Sequence, residues 1–475
     1  MERFTKMGKI ATKTALDVKK TPFGIGFEKL DRDVFDPEKA YDKISKVGAK
    51  WVRLQSGWQR TEKEEGVYDF AWLDTIVDNL IERGMTPWLC LCYGNGLYDD
   101  FAKEIFGAAG CPPIYDDRQR TAWKNYVAAT VKHFKGRIEY YEVWNEPDGI
   151  WCWKKGINAT ELGEFTVATA DAIRSADSCA KVIGGVVWDR RLGYICEALA
   201  TGMGKKIDAI SFHEYTPNEQ RVYERVESLR ALGRMYNPDM QIIQGESGSQ
   251  SKSTGQGALR GGAWTEKKQA KQLLRHALAD VKSKVMFSSY FSCMDMIEAL
   301  HGKAGDVASY LDYGYFGLLS ADFDENGFST GEYTPKMSYY AYQNLCAMIC
   351  EDFEVAELPV LITPAGYSRR NQGPDFTKSN IDTVGIRKPN GSSAYFYWYT
   401  SDIMTTEVEG TTSLEIYDPT GTVKLIDVMD GSVYPIPENM IENLPGGCRK
   451  INFLPVKDYP MALVCGDFVE IEEVK

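Results

Sequence analysis

A strand-then-helix rhythm repeats along the first two-thirds of the chain, and it constrains the fold more than any other feature. Apolar runs at 22–27, 50–55, 86–92, 137–143, 181–188, 207–212, 240–244 and 284–290 read as strands. Segments with helical spacing fall between and after them, at 36–47, 70–83, 118–134, 161–176, 192–201, 220–235, 265–280 and 335–349. Gly48 and Gly84 stand where two of these helices should stop. Such alternation predicts parallel strands joined by helical crossovers. Eight units in about 330 residues predict a (β/α)8 TIM barrel over residues 1–350, with enlarged loops after strands three and eight. A doubly wound open sheet is the competing arrangement. It is the weaker one, because eight regular units close readily and no Gly-rich phosphate fingerprint follows the first strand.

The rhythm changes near Glu351. Short β-type runs follow, at 355–362, 383–386, 393–399, 411–417, 423–427, 450–453 and 461–465. Turn signals such as Pro389-Asn390-Gly391 and Asp430-Gly431 separate them. This predicts an antiparallel β-sandwich over 351–475. It carries no obvious aromatic ladder, so support or an oligomer contact is its expected role, and a homo-oligomer stays open.

The net charge is −12 and there are only four His. An acidic surface repels phosphate, which argues against nucleic acid and anionic membranes as partners. Met1–Lys20 has no apolar core of a signal peptide, and no run is long enough to span a bilayer. The 11 Cys lack zinc-like spacing. Cys90 and Cys92 share a strand face, and Cys346 and Cys350 lie one helical turn apart. Reduced, buried thiols and a cytoplasmic protein are expected. Neither a cofactor nor a metal is expected.

Two apolar runs each end at a glutamate followed by turn residues. The first is Tyr140-Tyr141-Glu142-Val143-Trp144-Asn145-Glu146-Pro147-Asp148, and the second is Ile242-Ile243-Gln244-Gly245-Glu246-Ser247-Gly248. With 67 acidic residues in the chain, a surface or helix-cap role is the plain alternative for any one glutamate. Here the fourth and the seventh strand both deliver one to the C-terminal face of the barrel, where pockets form. Two carboxylates flanking one bond suit glycosidic cleavage, in which one acid protonates the leaving oxygen and the other supports an oxocarbenium-like centre. Trp144 and Pro147 beside Glu146 should disfavour its charge. Cationic and hydroxyl donors such as Arg53 and Tyr215 should keep Glu246 ionised.

Trp144-Asn145-Glu146-Pro147 resembles the signature of clan A glycoside hydrolases. The longer run Glu142–Asp148 is most similar to family 39, the β-xylosidase and α-iduronidase group. The resemblance covers roughly residues 22–350, and a trailing β-sandwich also suits that group. It implies a carbohydrate substrate, a retaining mechanism, Glu146 as acid/base and Glu246 as nucleophile. It further implies that Arg53 supports the nucleophile, that Asn145 bonds the sugar 2-hydroxyl, and that His213 or Tyr215 contacts nucleophile and substrate. One departure is visible. The clan places a Trp at the end of strand eight, where this chain has Tyr290-Phe291, so Tyr290 or Phe291 is expected to replace it as the sugar platform.

Aromatic faces stack on sugar C–H faces, and Trp58, Trp151, Trp153, Trp188 and Trp264 fall near loops after strands. Trp58 and Trp188 are taken as substrate contacts. Glu28, after strand one, is placed to bond a sugar hydroxyl. The leading reading is a retaining β-glycosidase for small glycosides or oligosaccharides, since polymers do not enter cells. An endo-acting glucanase or xylanase is the nearest alternative. A carbohydrate-binding protein without turnover and a metal-dependent isomerase are further ones; the last would want more His at strand ends.

Overall fold

The computed structural model describes residues 4–473 apart from 106–107, 298–312, 325–326, 365–380, 406, 418 and 420. Part of the enlarged loop expected after strand eight, 298–312, thus lies outside the described residues.

Eight parallel strands close into a barrel: Gly24–Gly26, Trp51–Gln55, Thr86–Leu91, Tyr140–Val143, Lys181–Val187, Ala209–His213, Gln241–Ser247 and Ser288–Tyr290. Ile25 pairs with Tyr290 and completes the ring. Helices Ala71–Glu82, Asp117–Phe134, Ala159–Ala176, Leu192–Ala200, Gln220–Arg234, Glu266–Lys282 and Met337–Met348 surround it. Several begin one or two residues before their apolar pattern does, because a side chain caps them. Asp116 accepts the Gln119 N–H at 2.7 Å, and Asn158 accepts the Glu161 N–H at 3.1 Å. The single helix expected over 36–47 is instead a 3-10 turn, Pro37–Lys39, and a short α-helix, Tyr41–Ser45. Asp36 takes the Glu38 N–H at 3.0 Å and tightens that first turn.

The seventh strand runs three residues beyond the 244 expected, so Glu246 lies within it. The ladder between the sixth and seventh strands shifts register after Phe212, which sets His213 opposite Glu246. Such irregularities re-aim side chains. Gly245 makes this approach feasible, because a Cβ there would lie 2.4 Å from Ser211 Oγ and 2.9 Å from His213 Nε2.

The C-terminal region folds as two antiparallel sheets. One has four strands, in the order Val360–Pro364, Glu409–Ile416, Arg449–Lys457 and Ile441–Asn443. The other has eight strands and contains Ile381–Arg387, Ser393–Tyr399, Met461–Cys465 and Val423–Asp427. Its edge corrects the expectation that residues 1–350 all build the barrel. Gly8–Ile10 pairs with Ser432–Pro435 on one side and Ile471–Glu473 on the other. Ile10 is buried there, while the exposed Lys9 between Gly8 and Ile10 gives the alternation of a half-buried strand.

The two regions pack as one body. Val384, Ile386, Phe396 and Trp398 belong to the same apolar cluster as the barrel helices. Lys271 and Asp458 form a 2.7 Å ion pair across the junction, both buried. Trp398 donates its indole N–H to Glu219 at 2.8 Å, and Arg275 pairs with the same carboxylate at 2.6 Å. All eleven Cys are free thiols, and only Cys179 and Cys196 are exposed. Among the described residues, no helix is long and apolar enough to cross a membrane.

Candidate active site

Glu146 reaches the barrel mouth on a turn of unusual backbone. Trp144 (φ 66°) and Glu146 (φ 41°) both occupy the left-handed region. For residues other than glycine that costs on the order of 1 kcal/mol each, and it persists only where surroundings impose it. Trp144 supplies the imposition. Its ring is fully buried against Tyr93, Trp123, Trp153 and Phe165, and its N–H donates to Cys152 O at 2.9 Å.

Arg53 lies under the mouth, fully buried. Its Nε donates to Glu142 at 2.7 Å and its Nη2 to Asn145 Oδ1 at 2.8 Å. Nη1 faces Glu28 at 3.4 Å and donates to Glu246. One guanidinium thus serves three buried carboxylates, and the site resolves the charge by splitting their affinities for protons. Burial pushes Glu28 up to about 8, with the charge of Glu246 adding to it against Arg53. Burial also works against ionised Glu246, but His213, Arg53 and the Tyr215 hydroxyl outweigh it and hold that carboxyl below its usual range. Tyr215 donates to Glu246 Oε2 at 2.7 Å. Gly26 makes room for Glu28, since a Cβ there would meet its carboxylate at 2.2 Å.

His213 joins the two glutamates. Its Nδ1 lies 2.9 Å from Glu146 Oε1 and 3.5 Å from Glu246 Oε2. Burial disfavours its cation, yet Glu246 and Glu146 together raise its pKa. The other Glu146 oxygen accepts the Trp151 indole N–H. One oxygen from each glutamate and one His213 nitrogen lie within 4.8 Å of one another. By residue type this trio has the look of a metal cluster. Arg53 and Tyr215 already engage both Glu246 oxygens, and a guanidinium so close opposes a second cation, so the donor set fits a proton-handling pair better than a metal site.

A cleft of about 1460 Å³ opens above these groups. Glu28, Asn145, Glu146, Trp188, His213, Tyr215 and Glu246 all line it, and Arg53 braces its floor. Two expected contacts are not there. Trp58 is fully buried, stacked between Tyr98 at 5.3 Å and Tyr126 at 5.5 Å, with its N–H bound to Glu62. The helix Trp58–Thr61 turns its side chain inward instead of toward the mouth. Tyr290 is also buried and packs against Tyr342 of the last helix. Successive strand residues face opposite sides, so Phe291 takes the cleft face. Of the remaining tryptophans, Trp153 and Trp264 are buried, whereas Trp151 is exposed in the cleft, 5.1 Å from Trp188.

Some positioning residues were not foreseen. Glu142 is the buried partner that fixes Arg53, and a charged residue inside the apolar run Tyr140–Trp144 was the available signal. Asp148 accepts the N–H groups of Asp189 at 2.7 Å and Trp188 at 3.3 Å, which anchors the loop carrying Trp188. Burial pushes its carboxyl up to about 6. Phe316 comes from the long segment after strand eight, and nothing local in the sequence marks it as a cleft residue.

Residues 40–237 match the family model of glycosyl hydrolases family 39. This is a glycoside hydrolase, similar to family 39 of clan A. Solved structures share its fold. A family 39 glycoside hydrolase from the gut symbiont Bacteroides cellulosilyticus WH2 superposes with a TM-score of 0.64 at 16% identity, covering 95% of this chain and 82% of that one. A monomeric β-xylosidase from Caulobacter crescentus CB15 gives 0.59 at 17% identity, with 96% and 97% covered. The family 30 subfamily 8 xylanase Xyn30A from Clostridium acetobutylicum gives 0.54 at 13% identity, with 96% and 97% covered. No curated protein matches the chain by sequence.

Proposed function

We propose that this glycosidase cleaves a β-glycosidic bond with retention, by double displacement, in small glycosides or oligosaccharides. The observation that carries the reading is the approach of Glu146 and Glu246, with an oxygen of each inside 4.8 Å. Retaining pairs stand about 5–5.5 Å apart, whereas inverting pairs keep about 6.5–9.5 Å for a water. The partners supply the division of labour. Arg53 and Tyr215 favour ionised Glu246, the nucleophile. Neither oxygen of Glu146 has an arginine or lysine partner among the described residues; they meet His213 and Trp151, so Glu246, held by Arg53, is the more firmly charge-paired of the two.

In the first step Glu246 attacks the anomeric carbon as the glycosidic bond breaks, and Glu146 passes its proton to the departing oxygen. In the second, Glu146 takes a proton from water, whose oxygen displaces Glu246 from the same carbon. Arg53 occupies Asn145 Oδ1 and Cys152 Sγ accepts one amide N–H at 3.5 Å, which leaves the second N–H of Asn145 for the sugar 2-hydroxyl. Phe291 takes the platform role. The Caulobacter structure is named a β-xylosidase, which makes xylosides the first sugars to try. The cleft volume exceeds the roughly 300–1,000 Å³ of common small-molecule pockets, and this favours longer substrates, including the endo-acting alternative. Eleven free thiols support a reducing setting such as the cytoplasm.

The test is hydrolysis of a panel of aryl α- and β-glycosides, with NMR of the first-formed anomer. One β-glycoside turned over with retention is the expected result. Inversion would remove Glu246 from the nucleophile's role.

A further inference from the structure

Helix Gln220–Arg234 buries Val222, Val226, Leu229 and Gly233, which recur at helical spacing on one face. Arg225 falls on that same face and is 5% exposed. A guanidinium taken out of water needs acceptors for the donors it carries. Arg225 finds them at the end of the fifth strand. Its Nη1 donates to Trp188 O at 2.9 Å, and its Nη2 to Val187 O at 2.7 Å and Asp189 O at 3.2 Å. Nη1 also reaches Glu214 Oε2 at 3.2 Å, and the other oxygen of Glu214 accepts from Arg190 at 2.8 Å.

Three consecutive carbonyls thus converge on one cation, while the Asp148 carboxylate accepts the N–H groups of Trp188 and Asp189. The chain is irregular just before this point. Val186 has a φ of 51°, and the ladder to the sixth strand shifts register between Gly185 and Val187. A β-branched residue takes such a φ only where its surroundings impose it. Arg225 and Asp148 supply that restraint from two other elements, a helix and the turn after the fourth strand.

The restraint ends in the cleft. Trp188, whose backbone both groups hold, is 40% exposed there and lies 5.1 Å from the ring of Trp151. Trp151 donates to Glu146, which passes its proton to the departing oxygen. The two rings therefore stand on the side of the leaving group. A stacking face adds to transition-state binding only as far as it is fixed in place.

We infer that Arg225 is a positioning residue for the leaving group: it fixes the backbone of Trp188, and through that ring it gives the enzyme its preference for a sugar over a compact leaving group. The inference rests on the glycosidase reading and goes beyond it by placing specificity on a guanidinium that belongs to an outer helix.

Two substrates of the sugar that the aryl panel identifies test it, the β-glycosyl fluoride and the β-1,4-linked disaccharide (xylobiose for a xyloside). Fluoride offers no ring for Trp188 to stack on. Arg225→Met should lower kcat/KM for the disaccharide about 20-fold and for the fluoride only about threefold. Arg225→Lys keeps a charge but cannot serve four acceptors. It should cost the disaccharide about fivefold, and it stands in if methionine prevents folding. Trp188→Ala should cost the disaccharide as much as Arg225→Met does. In the Trp188→Ala background, Arg225→Met should then add no more than about a twofold loss. Losses that multiply in the double variant overturn the inference, because Arg225 then acts apart from Trp188. Equal losses on fluoride and disaccharide overturn it too, since the guanidinium would act on the reacting groups through Glu214 beside His213, or on the fold. So does a wild type that turns over the fluoride and not the disaccharide, or a disaccharide rate that no Arg225 variant changes. Silence of the wild type on the aryl panel, the fluorides and the disaccharides instead removes the glycosidase reading and this inference with it.

Discussion

Glu28 and Glu246 face the same nitrogen, Nη1 of Arg53. A single cation between two buried carboxylates favours ionising one of them. The site keeps Glu246 charged and lifts Glu28 to about 8. Glu28 therefore favours its neutral form at pH 7, which leaves the Arg53 charge to Glu246.

This makes a pH prediction with a definite sign. The folded Glu28 holds its proton to about 8, whereas its ordinary value is 4.5. Between these values the folded state binds more protons than the unfolded one, so the contribution to stability is full below 4.5 and is lost as pH rises to about 8. Activity should also fall through that upper value, because an ionised Glu28 then competes with Glu246 for Arg53. Glu28→Gln should flatten the stability slope over the window and move or abolish the alkaline limb of kcat/KM. An unchanged alkaline limb would assign it to another group.

The two central glutamates should respond differently to truncation. Glu246→Ala should lose activity by about 10⁴-fold or more on every substrate, since no covalent intermediate forms. Glu146→Ala should keep slow turnover of substrates with good leaving groups, and azide should speed it while trapping a β-glycosyl azide. Product analysis by NMR distinguishes the cases. Absence of any azide adduct would count against Glu146 as acid/base.

Trp151 gives its indole N–H to Glu146 and is otherwise exposed in the cleft. Trp151→Phe keeps an aromatic face and removes the donor. Turnover of substrates with poor leaving groups should fall about tenfold, with a smaller change for activated aryl glycosides. Equal loss on both would mean that the ring acts only by stacking.

Lys271 and Asp458 tie the barrel to the C-terminal sheets through a buried ion pair. Removing Asp458 leaves the buried Lys271 ammonium with only the exposed Glu407, at 3.7 Å, so Asp458→Ala should destabilise the protein by up to about 3 kcal/mol. Lys271→Met with Asp458→Leu should recover most of that loss, because the pair is replaced by packing. Thermal unfolding of the three variants is the measurement. Activity per folded molecule should stay unchanged in each.

How much of this was legible beforehand differs from residue to residue. Hydrophobic period and punctuation place barrel strands and helices locally, so the order of elements and the arrival of Glu146 and Glu246 at strand ends follow from sequence alone. Composition likewise argues against a nucleic-acid partner. The direction of a side chain off a loop is not a local property. Trp58 and Trp188 both follow strands, yet one is buried under the loop and the other stands in the cleft. Tyr290 and Phe291 are neighbours that a one-residue change of facing separates. Gly8–Ile10 finds its partners more than 400 positions away, in a sheet that exists only once the C-terminal strands have assembled. The proton affinities of Glu28 and Glu246 depend on a guanidinium, an imidazole and a phenol brought from other strands. Sequence determined which chemical groups are present and which strand ends carry them; only the closed barrel decided which of them face one another, because burial and charge act through space and not along the chain.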